Sequence, residues 1–251
     1  FFPAIMRARQ LIDEEFLGRV FHYRGAYLHA SNIDPNRPIS WKSRKETGGG
    51  GSLVDLGVHL IDMMCYLLGD MTRVFATCAT LIPERPDPQT GAPTPVDTDD
   101  LALLIVRHAS GALGTLEATK FATGTCDELR FEIHGAHGAL RFNLMDPNWL
   151  EIYDAREDGA PMGGQRGFKR VECLQRYEAP ASGFPPPKVS IGWIRAHMHC
   201  MYSFLESIAR DRPPSPSLAD GLRLHAVLDA AYRSAERGRE IAVPRLRAGD
   251  A

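Results

Sequence analysis

Residues 129–144 read LRFEIHGAHGALRFNL and predict the fold more clearly than any other stretch. Apolar residues alternate with charged or polar ones on both sides of the turn at residues 135–138. Alternation with a period of two puts successive side chains on opposite faces of a strand. This stretch therefore predicts two antiparallel strands joined by a short turn, with one face towards a core.

The same strand signal recurs on both sides of this stretch. Residues 101–107 and 112–119 flank the turn Ser110-Gly111 and predict a hairpin. Helical spacing of apolar residues predicts four helices. Predicted strands also lie at 20–28, 74–81, 150–152 and 241–243, and the helices at 3–18, 52–68, 194–208 and 224–235. This order is typical of an α+β fold, with a large, open, mostly antiparallel sheet and helices on one face.

Three segments are predicted to lack regular structure. Residues 29–51 are polar and end in four glycines, and residues 83–95 carry five prolines. Residues 155–187 are rich in glycine and proline, which favours an irregular loop. No internal repeat is visible, and the whole chain is interpreted as one domain, residues 1–251.

Composition excludes several classes of protein. Among 251 residues the formal net charge is −2. The sequence therefore has no excess of basic residues that would favour binding to nucleic acid, and no nucleic-acid partner is expected. The sequence shows no apolar run near the ~20 residues of a membrane span, so no membrane partner is expected. Five cysteines without a C-x-x-C spacing predict neither a disulfide framework nor a zinc site. A reducing, cytoplasmic location is the expectation.

Residues 48–62, GGGGSLVDLGVHLID, carry the chemistry. Glycines let a backbone approach a ligand, and the start of a helix offers unpaired N–H groups. Asp55 and His59 are four residues apart, so both face one side of the predicted helix. An imidazole beside a carboxylate suits proton transfer near neutral pH.

Structural interpretations of the same residues stay open. Ser52 and Asp55 resemble a capping box, so Asp55 is also a candidate helix cap. His59 on a core-facing helix is also compatible with a packing role, and Asp62 is interpreted as structural. A metal site would need a third ligand, and none lies nearby at a recognisable spacing.

The segment resembles the signature of the Gfo/Idh/MocA family of oxidoreductases. Further similarity to the family lies in residues 1–5 and 17–20, in Ser40-Trp41-Lys42, and in residues 220–238. The resemblance implies a dinucleotide-binding Rossmann domain followed by a domain like the C-terminal half of glyceraldehyde-3-phosphate dehydrogenase. This chain corresponds to the second of these. It also implies homo-dimers or homo-tetramers that associate through the open sheet face.

By the same resemblance, a secondary alcohol or hemiacetal is oxidised by NAD or NADP. His59 is then the acid/base, and Asp55 holds substrate hydroxyls and His59. The third catalytic residue implied by the resemblance is a lysine in a Glu-Lys-Pro motif of the nucleotide domain, which would precede residue 1. Because the chain opens at Phe1 within a helical pattern and has no G-x-G-x-x-G, we expect a fragment. Alone, it is expected to bind cofactor weakly and not to turn over.

Other residues are weaker candidates for ligand contacts. Trp41 and Lys42 are predicted to contact the cofactor, although Trp41 is equally suited to anchoring its loop. Lys42 stands where the family often has arginine, which removes a bidentate contact. Predicted substrate contacts are Lys120, His197 and Arg24, and Tyr27 shares the strand of Arg24; sheet packing or surface exposure would explain them as well. Lys45 is interpreted as a solvated loop charge.

The functional prediction is therefore an oxidoreductase acting on a sugar, sugar acid or cyclitol. Two alternatives belong to other classes. One is a non-catalytic binding or assembly module of the same fold. The other is a metal-assisted hydrolase or isomerase with Asp55 and His59 as ligands. The upstream reading frame and a metal analysis would distinguish them.

Overall fold

The computed structural model describes residues 1–174 and 192–245. Its helices are α1 (Pro3–Asp13), α2 (Lys45–Gly48), α3 (Val58–Leu68), α4 (Trp193–Ala209) and α5 (Leu218–Arg237). Its strands are β1 (Val20–Leu28), β2 (Met71–Ala79), β3 (Glu84–Pro86), β4 (Pro93–Pro95), β5 (Leu101–His108), β6 (Leu113–Thr119), β7 (Glu128–Gly135), β8 (Gly138–Asn143), β9 (Trp149–Asp154), β10 (Lys169–Glu172) and β11 (Ile241–Ala242).

Within the described residues, nine strands form one open sheet in the order β10-β9-β8-β7-β1-β6-β5-β2-β11. The neighbouring pairs β5–β6, β8–β9 and β2–β11 are antiparallel. This confirms the predicted α+β architecture with a mostly antiparallel sheet. The short strand predicted at the C-terminal end is confirmed as β11, which pairs with β2.

The chain folds as two compact units. The first unit comprises Phe1–His22 and Phe131–Leu222, and the second comprises Tyr23–Arg130 and Arg223–Ala251. The candidate site described below lies within the second unit.

In the first unit, α1 packs on β8 and β9. Its buried face consists of Ala4, Ile5, Ala8 and Leu11, at helical spacing. The helix ends at Asp13, well before the predicted stop at Gly18. Gly18 has a φ of +61°, and a Cβ there would lie 2.8 Å from the ring of His137. This glycine therefore serves a close approach to a neighbouring turn rather than the end of a helix.

Helix α4, also in the first unit, carries the predicted apolar stripe on an exposed face. The stripe residues are 49–71% exposed: Ile194, Met198, Met201, Leu205 and Ile208. Helical spacing therefore predicted the stripe correctly but did not determine what covers it.

The second unit has a core between the sheet and two helices. Ala102, Leu104 and Val106 of β5 point into this core. Helix α3 contributes Leu60, Ile61, Met64 and Leu67, and α5 contributes Val227, Leu228, Ala230 and Ala231. The amide of Ala76 donates to Ser234 Oγ at 2.9 Å, which ties α5 to β2.

Two of the predicted loops contain regular structure. Within residues 29–51, Trp41–Ser43 form a 3-10 turn and α2 follows. Within residues 83–95, β3 and β4 pair with each other, and Arg85 of β3 is only 3% exposed. Arg85 donates to the carbonyls of Asn32 and Asp34, so the hairpin is held against the preceding loop. Pairing between strands supplies backbone hydrogen bonds that proline content alone does not reveal.

The third predicted loop, residues 155–187, was only partly irregular. Residues 169–172 form β10, which pairs antiparallel with β9. Residues 175–187 of that prediction lie outside the described residues.

The stretch 45–68 is long and apolar enough to match a membrane span by length and composition, contrary to the first interpretation of the sequence. Half of its most apolar window is buried inside the fold. Burial of this kind is typical of a core helix, and α3 contributes Leu60, Ile61, Met64 and Leu67 to the buried residues of this stretch.

Candidate active site

The site begins at the glycine run, and two of its glycines are required by close packing. A Cβ on Gly51 would lie 1.8 Å from the backbone oxygen of Asp99, and one on Gly50 would lie 2.2 Å from the hydroxyl of Tyr232. Gly49, by contrast, has a φ of +74° and open space around it. The prediction that the glycines serve a ligand is therefore corrected at two positions, where they admit other parts of the protein.

The helix start is capped by a residue distant in sequence. Asp99 Oδ1 accepts from Gly51 N at 2.9 Å, and Asp99 Oδ2 accepts from Leu53 N at 2.8 Å. Ser52 Oγ donates to the carbonyl of Asp100 at 2.8 Å instead of capping the helix. The capping box proposed for Ser52 and Asp55 is therefore wrong, because the two amides it would use have other partners. Asp55 N donates to the carbonyl of Gly51 at 3.0 Å, and Ser52 N donates to the carbonyl of Asp99 at 2.8 Å.

The predicted helix at residues 52–68 begins with a π-helical turn, Leu53–Gly57, before α3. A π turn carries an extra residue, and such turns are frequent at functional sites. Asp55 and His59 line one pocket of about 220 Å³, as their spacing suggested. Its remaining lining residues are Trp41, Lys42, Gly48, Gly50, Val54 and Val58.

Asp55 lies between two lysines. Its Oδ1 accepts from Lys42 Nζ at 2.8 Å, and its Oδ2 pairs with Lys120 Nζ at 2.9 Å. The side chain of Lys120 is 9% exposed, whereas that of Lys42 is 44% exposed. Lys120 is thus a buried cation with a carboxylate partner, and Lys42 is an outer one.

The ionisation of Asp55 follows from these contacts. Burial raises the pKa of Asp55, but hydrogen bonds and charges from Lys120 and Lys42 outweigh it, so the pKa lies below its usual range. The carboxylate is therefore ionised near neutral pH and can only accept hydrogen bonds. Two ammonium groups and one carboxylate leave one positive charge in excess beside the pocket.

His59 is exposed on the pocket wall. Its ring contacts the ring of Tyr27 edge to face, with centroids 5.8 Å apart. Among the described residues, no hydrogen bond joins Asp55 to His59. The expectation that Asp55 holds His59 is therefore not met in this arrangement, because both Asp55 oxygens face lysines.

The other predicted ligand contacts fall in different places. Trp41 is 62% exposed at the pocket, with Lys42 Nζ 5.6 Å from its ring centroid. Arg24 lies on β1 with an exposed side chain and is not among the pocket residues. His197 lies on α4 in the first unit, where its ring packs against Trp193 with centroids 4.2 Å apart. Lys45 is an exposed residue at the start of α2.

The side chains described at this site do not support metal ligation. Within residues 1–174 and 192–245, no three His, Cys, Asp or Glu side chains lie close enough to hold a metal ion. The two lysines on Asp55 would also repel a cation. All five cysteines are free thiols.

Sequence reasoning missed Asp99 and Tyr232, which support the site. Tyr232 Oη donates to Asp99 Oδ1 at 2.7 Å, and both residues contact the glycine run. The available signal was the acidic pair Asp99-Asp100 directly before an apolar strand, where unpaired carboxylates would be costly to bury.

Comparisons with known proteins identify the family of this chain. Residues 5–141 match the family model described as the GFO/IDH/MocA C-terminal domain. A levoglucosan dehydrogenase from Pseudarthrobacter phenanthrenivorans is 35% identical over 98% of this chain and 65% of its own length. The chain belongs to the Gfo/Idh/MocA family.

Other members of the Gfo/Idh/MocA family extend this similarity. An inositol 2-dehydrogenase from Rhizobium meliloti is 28% identical over 97% of this chain and 62% of its own length. A solved levoglucosan dehydrogenase in complex with NADH superposes with a TM-score of 0.91 at 35% identity, covering 98% of this chain and 64% of that one. Its complex with NADH and levoglucosan gives a TM-score of 0.90. The chain thus spans less than two thirds of the length of these relatives.

Proposed function

We propose that this chain is the substrate-binding and catalytic part of an NAD- or NADP-dependent oxidoreductase. Its substrate would be a secondary alcohol of a sugar, a sugar acid or a cyclitol. The observation that carries the proposal is one pocket lined by an imidazole, His59, and by a carboxylate, Asp55, that is ionised by two lysines. Levoglucosan dehydrogenase and inositol 2-dehydrogenase, similar over nearly the whole chain, support the substrate class.

The proposed roles follow from the protonation states. A substrate hydroxyl donates to a ring nitrogen of His59, which takes the proton as the carbon–oxygen single bond becomes a double bond. A nicotinamide cofactor would supply the acceptor for the hydride that is lost from the same carbon. Asp55 accepts hydrogen bonds from neighbouring hydroxyls, and Lys42 donates to substrate oxygens from the pocket wall. Lys120 keeps Asp55 ionised from the buried side.

We further propose that the main cofactor-binding determinants lie outside residues 1–251. The chain has no G-x-G-x-x-G, the glycine pattern that cradles a dinucleotide. A pocket of about 220 Å³ is also smaller than the 300–1,000 Å³ typical of ligand sites, as for a site that a further domain completes. Trp41, exposed at the pocket, and Lys42 are the residues suited to contact the cofactor from this side.

The proposal is tested with the full-length protein. Titration with NAD and with NADP, followed by a panel of sugars, sugar acids and cyclitols, should reveal one preferred cofactor and a polyol substrate. His59→Ala should lower turnover roughly 10²–10⁴-fold, as loss of an acid/base does, with an unchanged circular dichroism spectrum. Near-normal turnover in this variant would reject His59 as the base. Absence of cofactor binding would favour a non-catalytic module.

A further inference from the structure

Three side chains beside His59 form a group that the proposed reaction does not use. Tyr27 and His29 follow each other on and after β1, and Asp127 directly precedes β7. His29 Nε2 lies 2.7 Å from Asp127 Oδ1, and Asp127 is close enough to the Tyr27 hydroxyl to raise the pKa of Tyr27. The rings of Tyr27 and His29 meet edge to face with centroids 5.2 Å apart. We call these three residues the Tyr27 cluster.

The backbone holds the Tyr27 cluster together. His29 N donates to the carbonyl of Thr119 at 2.9 Å, and Ala122 N donates to the carbonyl of His29 at 2.9 Å. These bonds fix the end of β1 against the connection between β6 and β7, from which Asp127 emerges. Asp127 therefore reaches Tyr27 from a segment that is already tethered.

His59 needs an orienting contact that Asp55 does not give. Both carboxylate oxygens of Asp55 face lysine ammonium groups. The ring contact of His59 is with Tyr27, edge to face. Such aromatic pairs have preferred geometries and contribute roughly 0.5–1.5 kcal/mol beyond the area they bury.

We infer that Tyr27, anchored through its hydroxyl by Asp127, is a positioning residue that fixes the ring of His59 at the pocket wall. The inference rests on the proposed function, in which His59 moves the proton. His29 completes the arrangement, because it contacts the carboxylate of Asp127 and its ring packs against that of Tyr27.

The protonation state of Tyr27 fits a positioning role rather than an acid/base role. Burial raises its pKa well above the usual value, and the hydrogen bond and charge of Asp127 and the charge of Asp55 raise it further. The phenol therefore stays protonated near neutral pH, so its hydroxyl is available as a donor to Asp127. The other ionisable groups lining the pocket with His59 are Lys42 and Asp55.

The first test needs no turnover. The histidine rings of the protein are labelled with ¹³C, and the His59 signal is assigned by its loss in His59→Gln. Tyr27→Phe keeps the aromatic ring but loses the anchor, and Asp127→Asn weakens the same bond. Both variants should shift the His59 ring signals. The matched control, Tyr202→Phe on exposed α4, should leave them unchanged. An unshifted His59 signal in Tyr27→Phe and Asp127→Asn would overturn the inference.

The second test uses the full-length enzyme. Tyr27→Leu should lower kcat by on the order of 10²-fold, as misplacement of a reacting group does, with KM changed much less. In a His59→Ala background the same substitution should cause no further loss, because residues acting through one another are non-additive. An equal loss in both backgrounds would overturn the positioning role. If Tyr27→Leu fails to fold, Tyr27→Phe replaces it, with a smaller loss that also vanishes in His59→Ala.

The two tests separate this inference from the proposed function. Normal turnover of His59→Ala would reject the acid/base assignment, while the spectra would still report whether Tyr27 fixes the ring. Loss of turnover in His59→Ala, together with unshifted His59 signals in the Tyr27 and Asp127 variants, would reject the inference and leave the proposed function standing.

Discussion

The hydroxyl of Tyr232 lies 2.7 Å from Oδ1 of Asp99, although 133 residues separate them in the chain. The same carboxylate accepts from the amides of Gly51 and Leu53. Three donors therefore converge on one buried carboxylate at the turn that leads into the π turn and α3. The position of Asp55 and His59 depends on this junction between α5, β5 and the glycine run.

Asp99→Asn should destabilise the protein by about 1–3 kcal/mol, the cost of leaving a buried donor unsatisfied. The amide keeps the shape of the side chain but offers one accepting oxygen, so at least one backbone N–H loses its partner. Urea unfolding at neutral pH measures the change. Asp87→Asn is the matched control, because Asp87 also accepts from two backbone amides but is less buried than Asp99, and its effect should be smaller. Equal effects in the two variants would contradict the capping role.

Gly51→Ala should be far more destabilising than Gly49→Ala. The new Cβ at Gly51 would lie 1.8 Å from the backbone oxygen of Asp99, which cannot move without disturbing β5. We expect a loss of at least about 3 kcal/mol, at the upper end of overpacking effects. Gly49 has open space but a positive φ, so alanine there should cost about 1 kcal/mol. Thermal melts of both variants provide the comparison, and a similar Tm for the two would refute the packing argument.

Lys120→Met should raise the pKa of Asp55 more than Lys42→Met does. Burial already favours the protonated carboxyl, and Lys120 is the first of the two lysines that oppose it. Lys120 is also the more buried partner, so water replaces it less readily. Carbon-detected titration of the Asp55 carboxyl group gives the pKa in each variant. The acid limb of the kcat/KM profile of the full-length enzyme should move to higher pH in the same order, and the reverse order would disprove this assignment.

His108 should make the protein less stable as the pH falls. His108 is buried, with Nδ1 2.9 Å from the carbonyl of Gly69 and Nε2 2.8 Å from the hydroxyl of Tyr23. Burial lowers the pKa of His108, although hydrogen bonds at the end of α3 oppose it. A folded pKa below the unfolded value means that the stabilisation is present above about pH 6.5 and is lost as the pH falls towards the folded pKa.

Urea unfolding between pH 8 and pH 5 tests this assignment. The free energy of unfolding of the native protein should decrease as the pH is lowered from 8 to 5. In His108→Gln this decrease should be less steep. Replacing the exposed His225 by glutamine is the control and should leave the slope unchanged. A slope in His108→Gln equal to that of the native protein would exclude His108 as the source.

Ile105→Glu should dissociate an oligomer. Ile105 is 51% exposed on the outer sheet face. Three other large apolar side chains of the sheet are also exposed: Phe75, Leu103 and Leu113. Apolar patches of this kind mark association surfaces, and identical copies commonly pair through them. Light scattering after gel filtration should show a dimer or tetramer for the native protein and a monomer for Ile105→Glu. Ile33→Glu, on an exposed loop, should leave the mass unchanged; a native monomer would reject this surface as the interface.

Local patterns in the sequence predicted most helices and strands and the residues that lie on each of their faces. Period-two alternation predicted most strands of the sheet, although not β10, and helical spacing predicted the faces of α1, α3 and α5, because side-chain direction follows backbone periodicity. The four-residue spacing of Asp55 and His59 was enough to bring both to one pocket. The resemblance carried by residues 48–62 was enough to identify the family.

The partners of these residues were decided by the tertiary structure. Asp55 pairs with Lys120, 65 positions later in the chain. Asp99 caps a helix start 46 residues before it, and Tyr27 rather than Asp55 contacts the ring of His59. Each contact joins segments that meet only once strand order and register are set. Periodicity specifies which face a side chain occupies and carries no information about which distant segment will lie against that face.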